Sequence, residues 1–264
     1  MRKKLVVGNW KMNLTQAEAL SVVESLLPKI ASFDSVDVAV CPSYLCIPKV
    51  REAVKRSSLH VGAQDAFWVD SGAFTGRVSS HMLADAGVEF CIVGHSETRG
   101  RFGKMETDPN TSTYFSESNL TINLKLKSLL YHNITPILCV GETLAEREAE
   151  ATDGVISDQL NGALTGILGE EFREAVVAYE PVWAIGTGKT CDSEEASRVC
   201  GHIRSRLSEL FGHDTGGEIR VLYGGSVKAS NAGELFKRPD IDGGLVGGAS
   251  LDPEEFCKIV MSAA

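Results

Sequence analysis

Short runs of apolar, β-prone residues recur eight times along the 264-residue chain, separated by longer stretches of helical patterning. The runs are LVVGN from Leu5, VDVAVC from Val36, LHVGAQ from Leu59, FCIVGH from Phe90, ITPILCVGE from Ile134, AVVAYE from Ala175, IRVLYGG from Ile219 and IDGGLVGG from Ile241. Each is short enough for a strand, and all but VDVAVC end in glycine or a polar residue. Between the first two, TQAEALSVVESLLPKI places Leu20, Val23, Leu27 and Ile30 three or four residues apart behind Thr15, a suitable cap. CDSEEASRVCGHIRSRLSEL reads likewise. Strands that alternate with helices pair in parallel, and eight such units predict a closed (β/α)8 barrel; a doubly wound sheet ranks second.

The unusual polar and glycine residues gather where strands run into helices. Asn9 and Lys11 close the first run, two apart and so expected on one face. His95 closes the fourth, Glu180 the sixth, Gly224, Gly225 and Ser226 the seventh, and Gly247 and Gly248 the eighth. In a barrel these positions share one rim, where such folds place their chemistry and where phosphate is held after strands seven and eight. Paired glycines let backbone N–H groups approach an anion, and helix starts add a favourable dipole. Taken singly, Lys11 reads as a solvated lysine, Glu180 as a loop carboxylate and His95 as a histidine bonded to backbone. Their convergence with two anion cradles points to catalysis.

Composition narrows the partners. With 43% apolar residues the chain can fill a large core, and a net charge of −9 without a long basic run argues against nucleic acid. An anionic ligand therefore needs a local positive site. The opening MRKKLVVGNW has too short an apolar stretch for a signal peptide, and no run approaches membrane-spanning length. Seven cysteines, an odd number, favour reduced thiols and a cytoplasmic location. Neither their spacing nor that of the six histidines suggests a metal site.

The stretch YEPVWAIGTGKT, residues 179–190, ends like a nucleotide-binding loop. Such a loop needs glycine five residues before Gly188, and Trp183 stands there. An indole cannot follow the glycine backbone of that turn, so a different phosphate site is expected.

GNWKMN at Gly8, GAQD at Gly62, SGAFTG at Ser71, VGHSE at Val93, CVGETLAERE at Cys139, AYEPVWAIGTGKT at Ala178, LYGGSV at Leu222 and LVGGASL at Leu245 together resemble the triosephosphate isomerase family over nearly the whole chain. The resemblance implies a single-domain TIM barrel spanning residues 1–264. It also implies interconversion of dihydroxyacetone phosphate and D-glyceraldehyde 3-phosphate through an enediolate, without metal or organic cofactor. Glu180 would be the base, His95 the acid at the oxygens, and Lys11 and Asn9 the groups that offset negative charge, with Ser96 and Glu97 in support. Gly186, Ser226, Gly247 and Gly248 would bind the phosphate by their N–H groups. Residues Pro181, Val182, Trp183, Ala184, Ile185, Gly186, Thr187, Gly188, Lys189 and Thr190 would form a lid, bringing Ile185 and, from the rim, Leu245 over Glu180.

The resemblance further implies a homodimer in which Thr75 of one subunit nears Asn9 and Lys11 of the other. Three departures bear on that interface. Thr98 stands where the family has an arginine, Arg77 where it has an acid, and Lys104 where an acid follows Phe-Gly. The segment KMETDPNTSTYFSES is about ten residues longer than the family pattern, and Glu106 and Asp108 in it are expected to pair with Arg77 of the other subunit. A Schiff-base aldolase would need a lysine inside a late strand, which neither Lys189 nor Lys228 supplies. A nonenzymatic nucleotide-binding or scaffold role leaves the convergent rim unexplained.

Overall fold

A computed structural model describes residues 2–105, 107–187 and 190–264. Eight strands, β1 (Lys4–Asn9), β2 (Val36–Cys41), β3 (Leu59–Ala63), β4 (Phe90–Val93), β5 (Thr135–Val140), β6 (Val176–Tyr179), β7 (Arg220–Tyr223) and β8 (Gly243–Val246), form a closed parallel barrel in chain order. Helices cover the outside, as the alternating pattern predicts: a (β/α)8 TIM barrel.

Strand alternation divides the core in two. Leu5, Val7, Ala39, Cys41, Phe90, Ile92, Ile137, Cys139, Val176, Ala178, Leu222 and Leu245 pack together inside the barrel. Val6, Val38, Val40, Val61, Leu138 and Val177 face outward and meet the helices. Both strand faces are therefore buried, which explains the nearly continuous apolar runs. Among the described residues no helix is long and apolar enough to cross a membrane.

The first helix, Gln16–Ile30, starts at a capping box in which the Thr15 hydroxyl accepts the Glu18 N–H and the Glu18 carboxylate accepts the Thr15 N–H. Its buried stripe is Ala19, Val23, Leu26 and Ile30, whereas Leu20 and Leu27 are half-buried. Val23 and Ile30 are thus buried as expected and Leu27 packs against the core edge, while Ala19 and Leu26 join the fully buried stripe and Leu20 lies at its margin. The helix Ser193–Phe211 is capped by Asp192, whose carboxylate accepts the Glu195 N–H at 2.8 Å.

Closure happens where β8 meets β1. Leu5 pairs with Gly243, and the Leu5 N–H reaches past the strand to the Asp242 carbonyl at 2.9 Å. Gly243 has φ +134°, and a Cβ there would run into the Leu5 backbone. Only glycine fits this seam. Gly243→Ala should therefore lower stability by about 2–4 kcal/mol through strain and backbone collision, seen as a lower urea midpoint at fixed protein concentration.

Candidate active site

The barrel's C-terminal rim holds a cavity of about 480 Å³, lined by Asn9, Lys11, His95, Glu180, Gly186, Ser226, Gly247 and Gly248 among others. All eight residues expected at the chemistry or the phosphate meet there. The reason for one of them differs from the strand-alternation argument. Lys11 lies beyond the end of β1 with φ +51°, in a left-handed turn, so its direction does not follow from Asn9 by the two-residue period. The turn is pinned instead by the Lys11 N–H donating to Asn9 Oδ1 at 3.0 Å and by Gln64, whose amide donates to the Lys11 carbonyl at 2.7 Å. With Asn9 Oδ1 so engaged, its amide nitrogen is the end left to face a ligand.

His95 follows β4 through Gly94, whose φ is +68°. A Cβ at Gly94 would fall 2.8 Å from Ile122 and 2.9 Å from the Arg99 guanidinium. Arg99 holds the turn from beneath, donating to the Gly94 carbonyl at 2.7 Å and the Cys139 carbonyl at 3.2 Å. The chain then coils tightly: Thr98 and Arg99 N–H groups bond to the His95 carbonyl, and Arg101 N–H to that of Ser96. This coil aims the Glu97 N–H at His95 Nδ1, 3.2 Å away. A nitrogen that accepts a hydrogen bond carries no proton, so the ring's proton resides on Nε2.

Nε2 lies 2.8 Å from Glu180 Oε1, and the other carboxylate oxygen accepts the Ser96 N–H at 3.0 Å. Glu180 is only 2% exposed. Burial pushes its pKa up, but His95 and the Ser96 N–H outweigh that and hold it below the ordinary carboxylate range. For His95, burial disfavours the cation while the Glu180 charge draws the pKa above its usual value. The Glu97 N–H opposes a second proton directly, because an imidazolium would set two N–H groups head to head. We therefore assign a neutral, Nε2-protonated imidazole that donates to an ionised Glu180. Glu97 Oε2 is 3.6 Å from Nδ1, too far for a hydrogen bond, and Glu97 Oε1 instead grips Lys11 Nζ at 2.5 Å.

The expected lid begins in a 3-10 turn, Val182–Ala184. Its start is moored by groups that the pattern of the sequence did not single out. Glu142, fully buried just past β5, accepts from Trp183 Nε1 at 2.8 Å and from the Tyr179 hydroxyl at 3.1 Å. The Arg147 guanidinium lies over the Trp183 ring, 4.3 Å from its centre. Both charged residues stand in CVGETLAERE, so the motif carried the signal although the roles were not legible in it. Burial raises the Glu142 pKa, partly countered by its hydrogen bonds. On the lid itself the Thr187 hydroxyl donates to the Trp183 carbonyl, and the Ser226 hydroxyl donates to the Ala184 carbonyl at 3.2 Å. Gly188 and Lys189 lie outside the described residues.

One positional assignment from the sequence changes. The acid beside Thr98 is Glu117, which lies thirteen positions after Lys104, itself exposed. The Thr98 hydroxyl sits 2.7 Å from Glu117 Oε2, and Lys125 bridges Glu117 and Asp65, the latter at 2.6 Å. The added residues thus form an excursion ahead of Phe115, and chain-order counting from Phe-Gly stopped too early. Burial lowers the Lys125 pKa, but its two carboxylates more than reverse this and keep it charged.

Thr75 and Arg77 are exposed on a loop away from the cavity of their own chain. The Arg77 guanidinium lies 5.9 Å from the Phe67 ring centre. Of its two expected partners, Glu106 lies outside the described residues, and Asp108 turns its carboxylate to the Asn110 N–H at 2.9 Å, capping its own turn.

Known proteins share this arrangement's sequence. A model of the family described as triosephosphate isomerase matches residues 4–263. A protein named triosephosphate isomerase from Acetivibrio thermocellus is 47% identical over 98% of this chain and 97% of its own length. Another from Alkaliphilus oremlandii is 46% identical over 98% of this chain and 99% of its own, and one from Chloroherpeton thalassium is 43% identical over the full length of both. End-to-end likeness at this level, on a barrel whose rim brings Glu180 against His95 beside Lys11, places the chain in the triosephosphate isomerase family.

Proposed function

We propose that Glu180, His95, Lys11 and Asn9 carry the proton transfers by which this chain interconverts dihydroxyacetone phosphate and D-glyceraldehyde 3-phosphate. The observation that supports this most directly is the contact between Glu180 and His95 Nε2 at 2.8 Å inside the rim cavity. An ionised carboxylate there can take a proton from the carbon next to a carbonyl, and a neutral N–H donor can polarise that carbonyl and then trade protons with the enediolate oxygens. To reach substrate, Glu180 must turn from His95 and Ser96 into the cavity. Gly224 eases the turn, since a Cβ there would crowd Glu180 Cγ at 3.1 Å.

Lys11 Nζ supplies the positive charge that a strongly acidic chain needs at an anionic ligand, and Asn9 offers an N–H to the developing oxyanion. Phosphate is held by the N–H groups of Gly186, Ser226, Gly247 and Gly248. Gly248 opens the 3-10 turn Gly248–Leu251, so free N–H groups at that end suit an anion. Closure of Pro181–Thr190 would bring Ile185 and Leu245, which line the cavity, over the carboxylate and displace water, strengthening the base.

We also place the protein in the cytoplasm as a homodimer. The observation that supports the dimer is a second hollow beside Lys11, lined by Met12, Tyr44, Gln64, Asp65, Glu97 and Thr98 among others, into which Thr75 of a second copy would insert. Met12 is 96% exposed and Leu45 77%, an apolar surface that a partner would cover.

Three measurements test these assignments. Glu180→Gln keeps the shape but not the basicity, so kcat in a coupled assay should fall about 10²–10⁴-fold while KM changes little; near-normal turnover would remove Glu180 as the base. Because the Glu180 pKa is depressed, its base form persists as pH drops and is lost only below the ordinary carboxylate range. The acid limb of kcat/KM should accordingly follow the second ionisation of the substrate phosphate, at about pH 6; a limb set apart from the phosphate titration, followed by ³¹P NMR, would contradict this. Met12→Asp should leave the monomer fold intact but shift sedimentation towards monomer, and an unchanged dimer would show that Met12 lies outside the interface.

A further inference from the structure

The chain leaves the rim at Gly100 and returns at Phe115, and the neck of this excursion is closed. The Glu117 N–H donates to the Thr98 carbonyl at 3.1 Å. Gly100, with φ +69°, presses so closely on the Phe115 carbonyl that no side chain would fit between them. The rings of Phe102 and Phe115 meet edge to face with centres 5.3 Å apart, and Tyr114 packs on Phe115 at 5.1 Å. A 3-10 turn, Pro109–Tyr114, capped by Asp108, fills the far end. The packing is concentrated at the neck, where the joined ends hold Phe102 in place, while the turn beyond it is exposed.

Gly103 follows Phe102 at that neck and touches the lid. A Cβ at Gly103 would lie within 2.5 Å of the carbonyl oxygens of both Val182 and Ile185, and 3.1 Å from the Thr187 methyl group. The Val182 carbonyl is the one that accepts the Ile185 N–H and closes the lid's first turn. Gly103 does not line the cavity, whereas Ile185 and Gly186 do. The contact is therefore made from outside the cavity.

We propose that Gly103, braced by the neck that Gly100, Phe102 and Phe115 form, is a positioning residue that sets how far the lid can lie back from the active site. The proposal rests on the reading of Val182–Thr187 as part of a lid over the isomerase site. Filling the gap with one methyl group must move something, and the neighbours are backbone carbonyls that cannot rotate away. The turn would shift forward, towards the cavity. A lid biased forward holds substrate and product longer.

Gly103→Ala is the direct test. KM and kcat should fall together, each about 3- to 10-fold, with kcat/KM nearly unchanged, because release slows while capture of substrate does not. Phe115→Ala, which loosens the brace without adding atoms, should raise both. Unchanged constants in a folded Gly103→Ala protein would overturn the proposal. So would a fall in kcat/KM accompanied only by a lower melting temperature, which is what a purely structural role gives. If Gly103→Ala does not fold, Phe115→Ala decides alone, and unchanged constants there overturn the proposal. Amide hydrogen exchange across 182–187 in the ligand-free proteins reads the lid without reference to turnover: protection should differ from wild type in Gly103→Ala, and identical protection counts against the proposal. Wild-type protein that fails to turn over either triose phosphate would instead remove the isomerase reading.

Discussion

Closure of the sheet on itself is the constraint that creates the site. Once β8 pairs with β1, every strand runs the same way around one axis, and every strand end opens onto the same rim. Asn9 and Gly248 lie at opposite ends of the sequence yet line one cavity. The seam itself depends on Gly243, where the backbones of two strands come too close for a side chain. Without that approach the residues on β1 and β8 would stand at the two edges of an open sheet, and the phosphate cradle would be far from Lys11.

Within the rim the dominant cost is burial of charge. Glu180 is almost fully enclosed, and an isolated carboxylate in such a place would take up a proton. Two donors prevent this, the His95 ring and the Ser96 N–H, and both are fixed by the same tight coil after β4. The coil also sets the tautomer of His95 through Glu97. A single local fold thus prepares both halves of a proton-transfer pair. Lys125 obeys the same rule at the side of the barrel, where Asp65 and Glu117 together compensate its burial.

The lid region joins a firm base to a lighter upper part. Trp183 is anchored below by Glu142 and Arg147 and Ala184 is fully buried, whereas Gly186 and Thr187 beyond them are exposed. Segments held by few contacts are the ones that open at low free-energy cost. Gly103 and the neck that holds it lie against one side of that segment.

Much of this was written in the chain. The eight apolar runs and the helical stretches between them carry periodicities that local stereochemistry enforces, so strand and helix positions could be read from side-chain alternation and capping. The motif residues at the strand ends were likewise legible, because parallel strands joined by helices have one geometry that brings their ends together. Other features were settled only in three dimensions. Ala19 and Leu26 are fully buried while Leu20 and Leu27 are only half-buried, since packing selects which side of a helix fits its neighbour. Lys11 points into the cavity from a left-handed turn, not from a strand. Glu117, not Lys104, meets Thr98, because a loop with joined ends shifts the count while the residues after it keep their places. Glu142 beneath Trp183 and Gly103 behind Val182 are contacts between segments about forty and eighty positions apart. Local sequence determines what each residue can do over a few neighbours; which distant partner it meets depends on how closed strands, helices and loops fill space together.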